Sequence, residues 1–102
     1  MQCGAQWRAT LAKTAAGADI LITMLPGSRE VREVMAGSGV LAAMPSTAVW
    51  VDMTSSSPAA GRELAAAARA SGVGVLDAPV GGGVPAARAG TLQVFVGGDA
   101  AV

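Results

Sequence analysis

Ile20-Leu21-Ile22-Thr23-Met24-Leu25, closed by Pro26-Gly27, is the stretch that decides the fold. The apolar run is continuous rather than alternating, which predicts a β-strand covered on both faces. Pro26-Gly27 stops it, and Ser28 is placed to cap a helix through Met35. Val31, Val34 and Met35 fall at i, i+3, i+4 spacing there, one apolar face of a helix. Gly37 and Gly39 are expected to end that helix.

The same texture repeats outward along the chain. A second run, Ala48-Val49-Trp50-Val51-Asp52-Met53, is followed by Thr54-Ser55-Ser56-Ser57-Pro58. Ser57 as N-cap with Pro58 at the first helical position predicts a helix over 59–71, with Ala60, Leu64, Ala67, Ala68 and Ser71 on one face and Gly72 behind it. A third run, Val73-Gly74-Val75-Leu76-Asp77, continues into Ala78-Pro79-Val80 and then Gly81-Gly82-Gly83. Residues 84–89 have room for about one helical turn. Thr91-Leu92-Gln93-Val94-Phe95-Val96 alternates more and reads as a peripheral strand ending at Gly97-Gly98. Upstream, residues 10–16 read as a short helix stopped by Gly17. Strands alternating with helices at this spacing predict right-handed crossovers and a mostly parallel sheet, hence an α/β fold with helices on the sheet faces.

Composition bounds the function. The chain has 102 residues, one domain at most. Apolar residues make up 52% and charged residues 14%, which supplies a core and argues against disorder. Net charge is zero with no basic run, so neither nucleic acid nor an anionic membrane is an expected partner. No apolar stretch approaches the roughly 20 residues of a membrane span. The absence of histidine removes His-based metal sites and Ser-His or Cys-His nucleophile pairs. No metal site is expected. Cys3 is the lone cysteine, which fits a reducing cytoplasm.

In open parallel sheets ligands bind beyond the carboxyl ends of the strands. Three loops leave such ends: Leu25-Pro26-Gly27, the 52–57 segment, and the 77–83 segment. The Thr54-Ser55-Ser56-Ser57 hydroxyls, ahead of a helix N-terminus, suit a cofactor amide, ribose or carboxylate; the competing reading is plain capping and loop solvation. Gly81-Gly82-Gly83-Val84-Pro85-Ala86 formally matches the G-x-G-x-x-A dinucleotide turn, with Asp99 near the distance of a ribose carboxylate. That turn needs a long helix, however, and Pro85 and Gly90 leave little more than one turn. A flexible loop whose N–H groups approach a carboxylate is the better reading, with an ordinary tight connection as its rival. Asp52 and Asp77 end successive strands and read as loop caps rather than a catalytic pair. Trp50 reads as core, and the arginines as solvated surface, Arg88 being the least settled of them.

Four segments in order resemble the beta-hydroxyacid dehydrogenases, the family of 3-hydroxyisobutyrate dehydrogenase and tartronate semialdehyde reductase, with an NAD(P)-binding domain of the 6-phosphogluconate dehydrogenase type. They are Ala18-Asp19-Ile20-Leu21-Ile22-Thr23-Met24-Leu25-Pro26, Val51-Asp52-Met53-Thr54-Ser55-Ser56-Ser57-Pro58, Leu76-Asp77-Ala78-Pro79-Val80-Gly81-Gly82-Gly83, and the ending Ala89-Gly90-Thr91-Leu92 through Val96-Gly97-Gly98-Asp99. The resemblance runs from about Gly4 onward. It implies a partial Rossmann-like, three-layer α/β fold with a mostly parallel sheet. Residues 1–102 would then be part of an NAD(P)-binding domain whose dinucleotide turn and helical partner domain lie outside the sequence.

The implied activity is oxidation of a β-hydroxyacid, or reduction of its semialdehyde, with NAD or NADP as cofactor. Leu25 and Pro26 match backbone that lines the cofactor, and Ser55 matches the hydroxyl residue on the nicotinamide side. Gly81, Gly82 and Gly83 match a Ser-Gly-Gly loop that holds the substrate carboxylate, Gly81 standing where serine is usual. The family's catalytic lysine has no counterpart here: Lys13, the only lysine, lies in the wrong segment. The expectation is a chain inactive alone, whether a fragment, the result of a misassigned start or the product of a truncated gene, with homo-oligomers formed by the full-length parent. The alternatives are a noncatalytic remnant and a small α/β interaction module without dehydrogenase ancestry.

Overall fold

The computed structural model describes residues 3–102. Three parallel strands form its centre: β1 (Ile20–Thr23), β2 (Val49–Asp52) and β3 (Gly74–Asp77). Their registers run Ile20↔Val49↔Gly74 to Thr23↔Asp52↔Asp77, so equivalent residues share a sheet face. Around them lie α1 (Leu11–Ala16), α2 (Ser28–Arg32), α3 (Val40–Ala43), α4 (Pro58–Ala70) and α5 (Gly83–Ala89). Two further pairs complete the set: β4 (Val80–Gly81) with β5 (Gln93–Val94), and β6 (Gly97–Gly98) antiparallel on the edge of β3. The four-stranded order is β1-β2-β3-β6. This is the expected α/β class with a mostly parallel sheet.

One sheet face carries Leu21, Trp50 and Val75, buried together with Ala15, Val31, Met35, Val40, Leu64 and Ala68 from the helical segments. Trp50 is 1% exposed and is the largest fully buried side chain. Burying an indole removes on the order of 150–250 Å² from water, which makes Trp50 the centre of the packing. The opposite face differs from the expectation of strands covered on both sides. Ile20 and Ile22 are 62% and 58% exposed. The C-terminal turn reaches this face, where Val102 Cγ1 lies 3.1 Å from the position a Cβ on Gly74 would take. The continuous apolar run does form a strand at Ile20–Thr23, but its alternate residues meet no second helical layer among the described residues.

α4 starts as its sequence demands. Ser57 has an extended backbone and its Oγ accepts from Ala60 N at 3.2 Å, with Pro58 first in the helix. Gly72 is left-handed at φ +81°, and Val73 N returns to Ala68 O. Ala60, Leu64 and Ala68 are the buried stripe; Ala67 and Ser71, expected on it, are exposed. A stripe at i, i+4, i+8 is narrower than the five-residue face the spacing allowed.

Other boundaries shift for local reasons. Gly27, not Ser28, sits at the N-cap of α2, and the helix runs on through one π-turn (Glu33–Gly37). α3 is a four-residue helix that the sequence reading did not contain. The third apolar run breaks at Ala78-Pro79: Pro79 has no N–H for a ladder, and β4 restarts in a separate pair. Of the run at 91–96 only Gln93–Val94 forms a strand, β5, and β6 lies beyond the run at Gly97–Gly98.

Candidate functional site at the strand carboxyl ends

The carboxyl ends of β1 and β2 are locked by a buried hydrogen-bond relay. Trp50 Nε1 donates to Thr23 Oγ1 at 2.9 Å, and the Thr23 hydroxyl donates to Asp52 Oδ1 at 2.8 Å. Asp52 Oδ1 also accepts from Thr54 N at 3.1 Å. The Thr54 hydroxyl in turn accepts from Leu25 N at 3.0 Å. Thr23, Asp52 and Thr54 are all buried, and among the described residues no buried side-chain polar atom is left without a partner. A buried polar chain of this kind is stabilising only when complete. Its completeness fixes where the 54–57 loop stands relative to Leu25-Pro26.

A second tie crosses the same gap. Ser57 N donates to Ser28 Oγ at 2.9 Å. Ser28 therefore does not cap its own helix but joins the first turn of α2 to the start of α4. Together the two ties hold open a polar cavity of about 490 Å³, lined by Ser28, Thr54, Ser55, Ser56, Ser57, Asp77 and Pro79. That lies within the ~300–1,000 Å³ usual for small-molecule sites. The lining contains no cationic side chain.

Asp77 contributes the one carboxylate on this wall. It faces Asp52 in register across β2 and β3. Its carboxyl is held above the ordinary value of 3.8, first by partial burial and then by repulsion from Asp52. Asp52 behaves as the expected loop cap; Asp77 does not, since no hydrogen bond among the described residues reaches its carboxylate.

The structure places the expected site residues in two groups. Ser55 lines the polar cavity, and Leu25 is tied to the same loop through Thr54 while its side chain borders an apolar hollow with Leu21, Val34 and Val40. Pro26 follows directly. Gly81, Gly82 and Gly83 lie outside that lining, but the chain enters their loop from Pro79, which does line it. Gly82 and Gly83 have φ of +110° and +65°, so both need glycine, whereas Gly81 does not. Thr23, Ser28 and the indole N–H of Trp50 were not among the expected site residues. The signal for Thr23 was its position as the one hydroxyl inside an apolar run. Among the described residues no group of three or more His, Cys, Asp or Glu could hold a metal.

The family described as the NAD binding domain of 6-phosphogluconate dehydrogenase matches residues 1–102. The chain belongs to this family. Its cofactor class is accordingly NAD or NADP, and the hydroxyl-rich strand ends with the N-terminus of α4 fit a ribose and carboxamide. The four-segment agreement is thus common descent rather than chance. Among curated relatives, the chain is 41% identical over 98 residues to a 3-hydroxyisobutyrate dehydrogenase of Pseudomonas aeruginosa, covering 95% of this chain and 33% of that protein. It is 44% identical over 100 residues to the 2-(hydroxymethyl)glutarate dehydrogenase of Eubacterium barkeri, covering 97% and 33%. The solved structure of Mycobacterium tuberculosis 3-hydroxyisobutyrate dehydrogenase with L-serine superposes with a TM-score of 0.87 at 39% identity, over 92% of this chain and 32% of that one. The chain thus spans about a third of the length of these relatives. No helix among the described residues is long and apolar enough to cross a membrane.

Proposed function

We propose that the chain is the cofactor-binding portion of an oxidoreductase acting on the CH–OH group of a β-hydroxyacid, in the manner of its 3-hydroxyisobutyrate dehydrogenase relatives. The observation that carries this reading is the bond from Leu25 N to Thr54 Oγ1, which ties the first expected cofactor segment to the hydroxyl loop whose Ser55 lines the polar cavity. The backbone at Leu25 and Pro26 lines the cofactor, and the Ser55 hydroxyl meets its nicotinamide side. The loop at Gly81, Gly82 and Gly83 receives the substrate carboxylate on backbone N–H groups, two of them in left-handed geometry.

Held by the Leu25-Pro26 backbone and the Ser55 hydroxyl, NAD or NADP would supply the hydride chemistry between the carbinol carbon and the semialdehyde. The protein's part is to orient the two reactants and to hold the 54–57 hydroxyls in fixed positions. The proton released from the substrate hydroxyl needs a base. The resemblance assigns that to a lysine outside residues 1–102, and Lys13 on α1 is not in the cavity lining. Residues 1–102 accordingly form one part of an NAD(P)-binding domain. The reading assigns catalysis and homo-oligomer formation to the full-length parent that the resemblance implies, and a reducing cytoplasm suits Cys3, exposed and the lone cysteine of residues 1–102.

Calorimetric titration of the purified chain with NAD and with NADP tests the reading. Binding of either, weakened in Ser55→Ala without loss of fold, supports it. Binding seen only in a version extended in frame on both sides also supports it, whereas a properly folded extended protein that takes up neither cofactor overturns it in favour of an interaction module.

A further inference from the structure

The Gly81-Gly82-Gly83 loop has an asymmetry its sequence conceals. Gly82 and Gly83 are glycine because their backbones are left-handed, and a Cβ on Gly82 would lie 2.6 Å from the Ala86 methyl. Gly81 has neither constraint. It pairs with Gln93 in the antiparallel β4–β5 register, so their side-chain directions share one face of the pair. A Cβ built on Gly81 would stand 3.4 Å from Phe95 Cε2 and 3.8 Å from Gln93 Oε1. Those are ordinary contacts. The missing side chain therefore leaves a notch, floored by the Gly81 backbone and walled by an aromatic ring and a carboxamide. No hydrogen bond among the described residues holds that carboxamide.

We propose that Gln93 is a substrate-positioning residue, its carboxamide N–H₂ donating to the substrate carboxylate across the notch at Gly81. The inference rests on the reading of the Gly81–83 loop as the carboxylate seat. Backbone N–H groups there provide donors on one side of the carboxylate. A side-chain donor at position 81 would supply another, and glycine supplies none. Gln93 is the side chain whose polar end leans over that position, with the acceptor Oε1 nearest to it; since no hydrogen bond among the described residues holds the carboxamide, a half-turn about its last bond brings the N–H₂ donors to the notch in its place. Phe95 beside it limits how far the carboxamide swings. A neutral donor to a carboxylate is among the stronger hydrogen bonds, and its loss weakens binding by about tenfold or more. The arrangement also predicts compensation. A serine at 81 puts a hydroxyl into the same notch, so it substitutes for the Gln93 amide.

The test is calorimetric binding of 3-hydroxyisobutyrate, and of its methyl ester, to the cofactor-saturated protein extended in frame on both sides. Wild type, Gln93→Ala, Gly81→Ser and the double variant are compared. The expected result is a roughly tenfold loss of acid affinity in Gln93→Ala with ester and cofactor affinities unchanged, and recovery of most of it in the double variant. Equal acid affinity in wild type and Gln93→Ala overturns the inference, as does a parallel loss for acid and ester. Cofactor binding without acid binding also overturns it, because the loop is then not a carboxylate seat, while the cofactor reading stands. If no cofactor binds, the functional reading fails first and the inference falls with it.

Discussion

The Thr23 hydroxyl donates to Asp52 Oδ1 at 2.8 Å, across the last register pair of β1 and β2. The Thr23 hydroxyl oxygen also receives the Trp50 indole N–H, so one small side chain on β1 satisfies two larger ones on β2. Thr23→Val keeps the shape and removes both bonds. A buried donor and a buried carboxylate oxygen are then short of a partner, at about 1–3 kcal/mol each. Urea unfolding of Thr23→Val should show a loss of at least about 2 kcal/mol, with Thr23→Ser recovering most of it. Unchanged stability in Thr23→Val would mean the relay is not intact in solution.

The start of α4 gives a second expectation. Ser57→Ala removes the acceptor for Ala60 N and should cost about 1 kcal/mol. Ser57→Asp, which keeps a capping oxygen, should fall within a few tenths of wild type. Thermal melts of the three proteins decide this; equal melting of Ser57→Ala and wild type would show that the cap contributes nothing.

The glycine loop gives a paired expectation. Gly82→Ala meets the Ala86 methyl and strains a backbone at φ +110°, so it should destabilise by about 1–3 kcal/mol. Gly81→Ala has ordinary room and should change stability by no more than about 0.5 kcal/mol. Chemical denaturation that finds the two equally costly would contradict this backbone geometry.

Asp77 sets a pH dependence. Its folded value lies above the ordinary 3.8, so the folded state binds the proton more tightly than the unfolded chain. The protein therefore loses stability as pH rises from 3.8 through the raised value, and the loss persists above it. Asp77→Asn resembles the protonated form and escapes that loss. Its melting temperature should exceed that of wild type at pH 7, and the gap should close as pH falls below 3.8. A gap that is absent at pH 7, or that widens on acidification, would refute the assignment.

Strand and helix order was legible because each apolar run carries its own stop: Pro26-Gly27, the 54–58 segment, and Gly72 ahead of the third. Ser57-Pro58 marked the start of α4 to the residue, since a cap is chemistry local to a few neighbours. What the sequence withheld is non-local. Ser28 looks like a cap and serves as an acceptor for Ser57 N, because only the fold brings α2 beside α4. Trp50 reads as core, and its N–H bond depends on a residue 27 positions away. The division of residues 91–98 between two sheets follows from the turn at Pro79 and from pairing, neither of which alternation encodes. Gln93 was one residue in an alternating run until its register partner was known to be Gly81.

The uncovered sheet face has a practical effect on how this protein is assayed. Ile20 and Ile22 present a flat hydrocarbon surface while Trp50 behind them is rigidly packed. Hydrophobic dyes such as ANS report surface of the first kind, and near-UV circular dichroism reports packing of the second. The two signals usually oppose one another. Here a well-folded sample should bind the dye and show a sharp tryptophan band at once, so bright fluorescence from this chain is a property of its native state rather than a sign of misfolding.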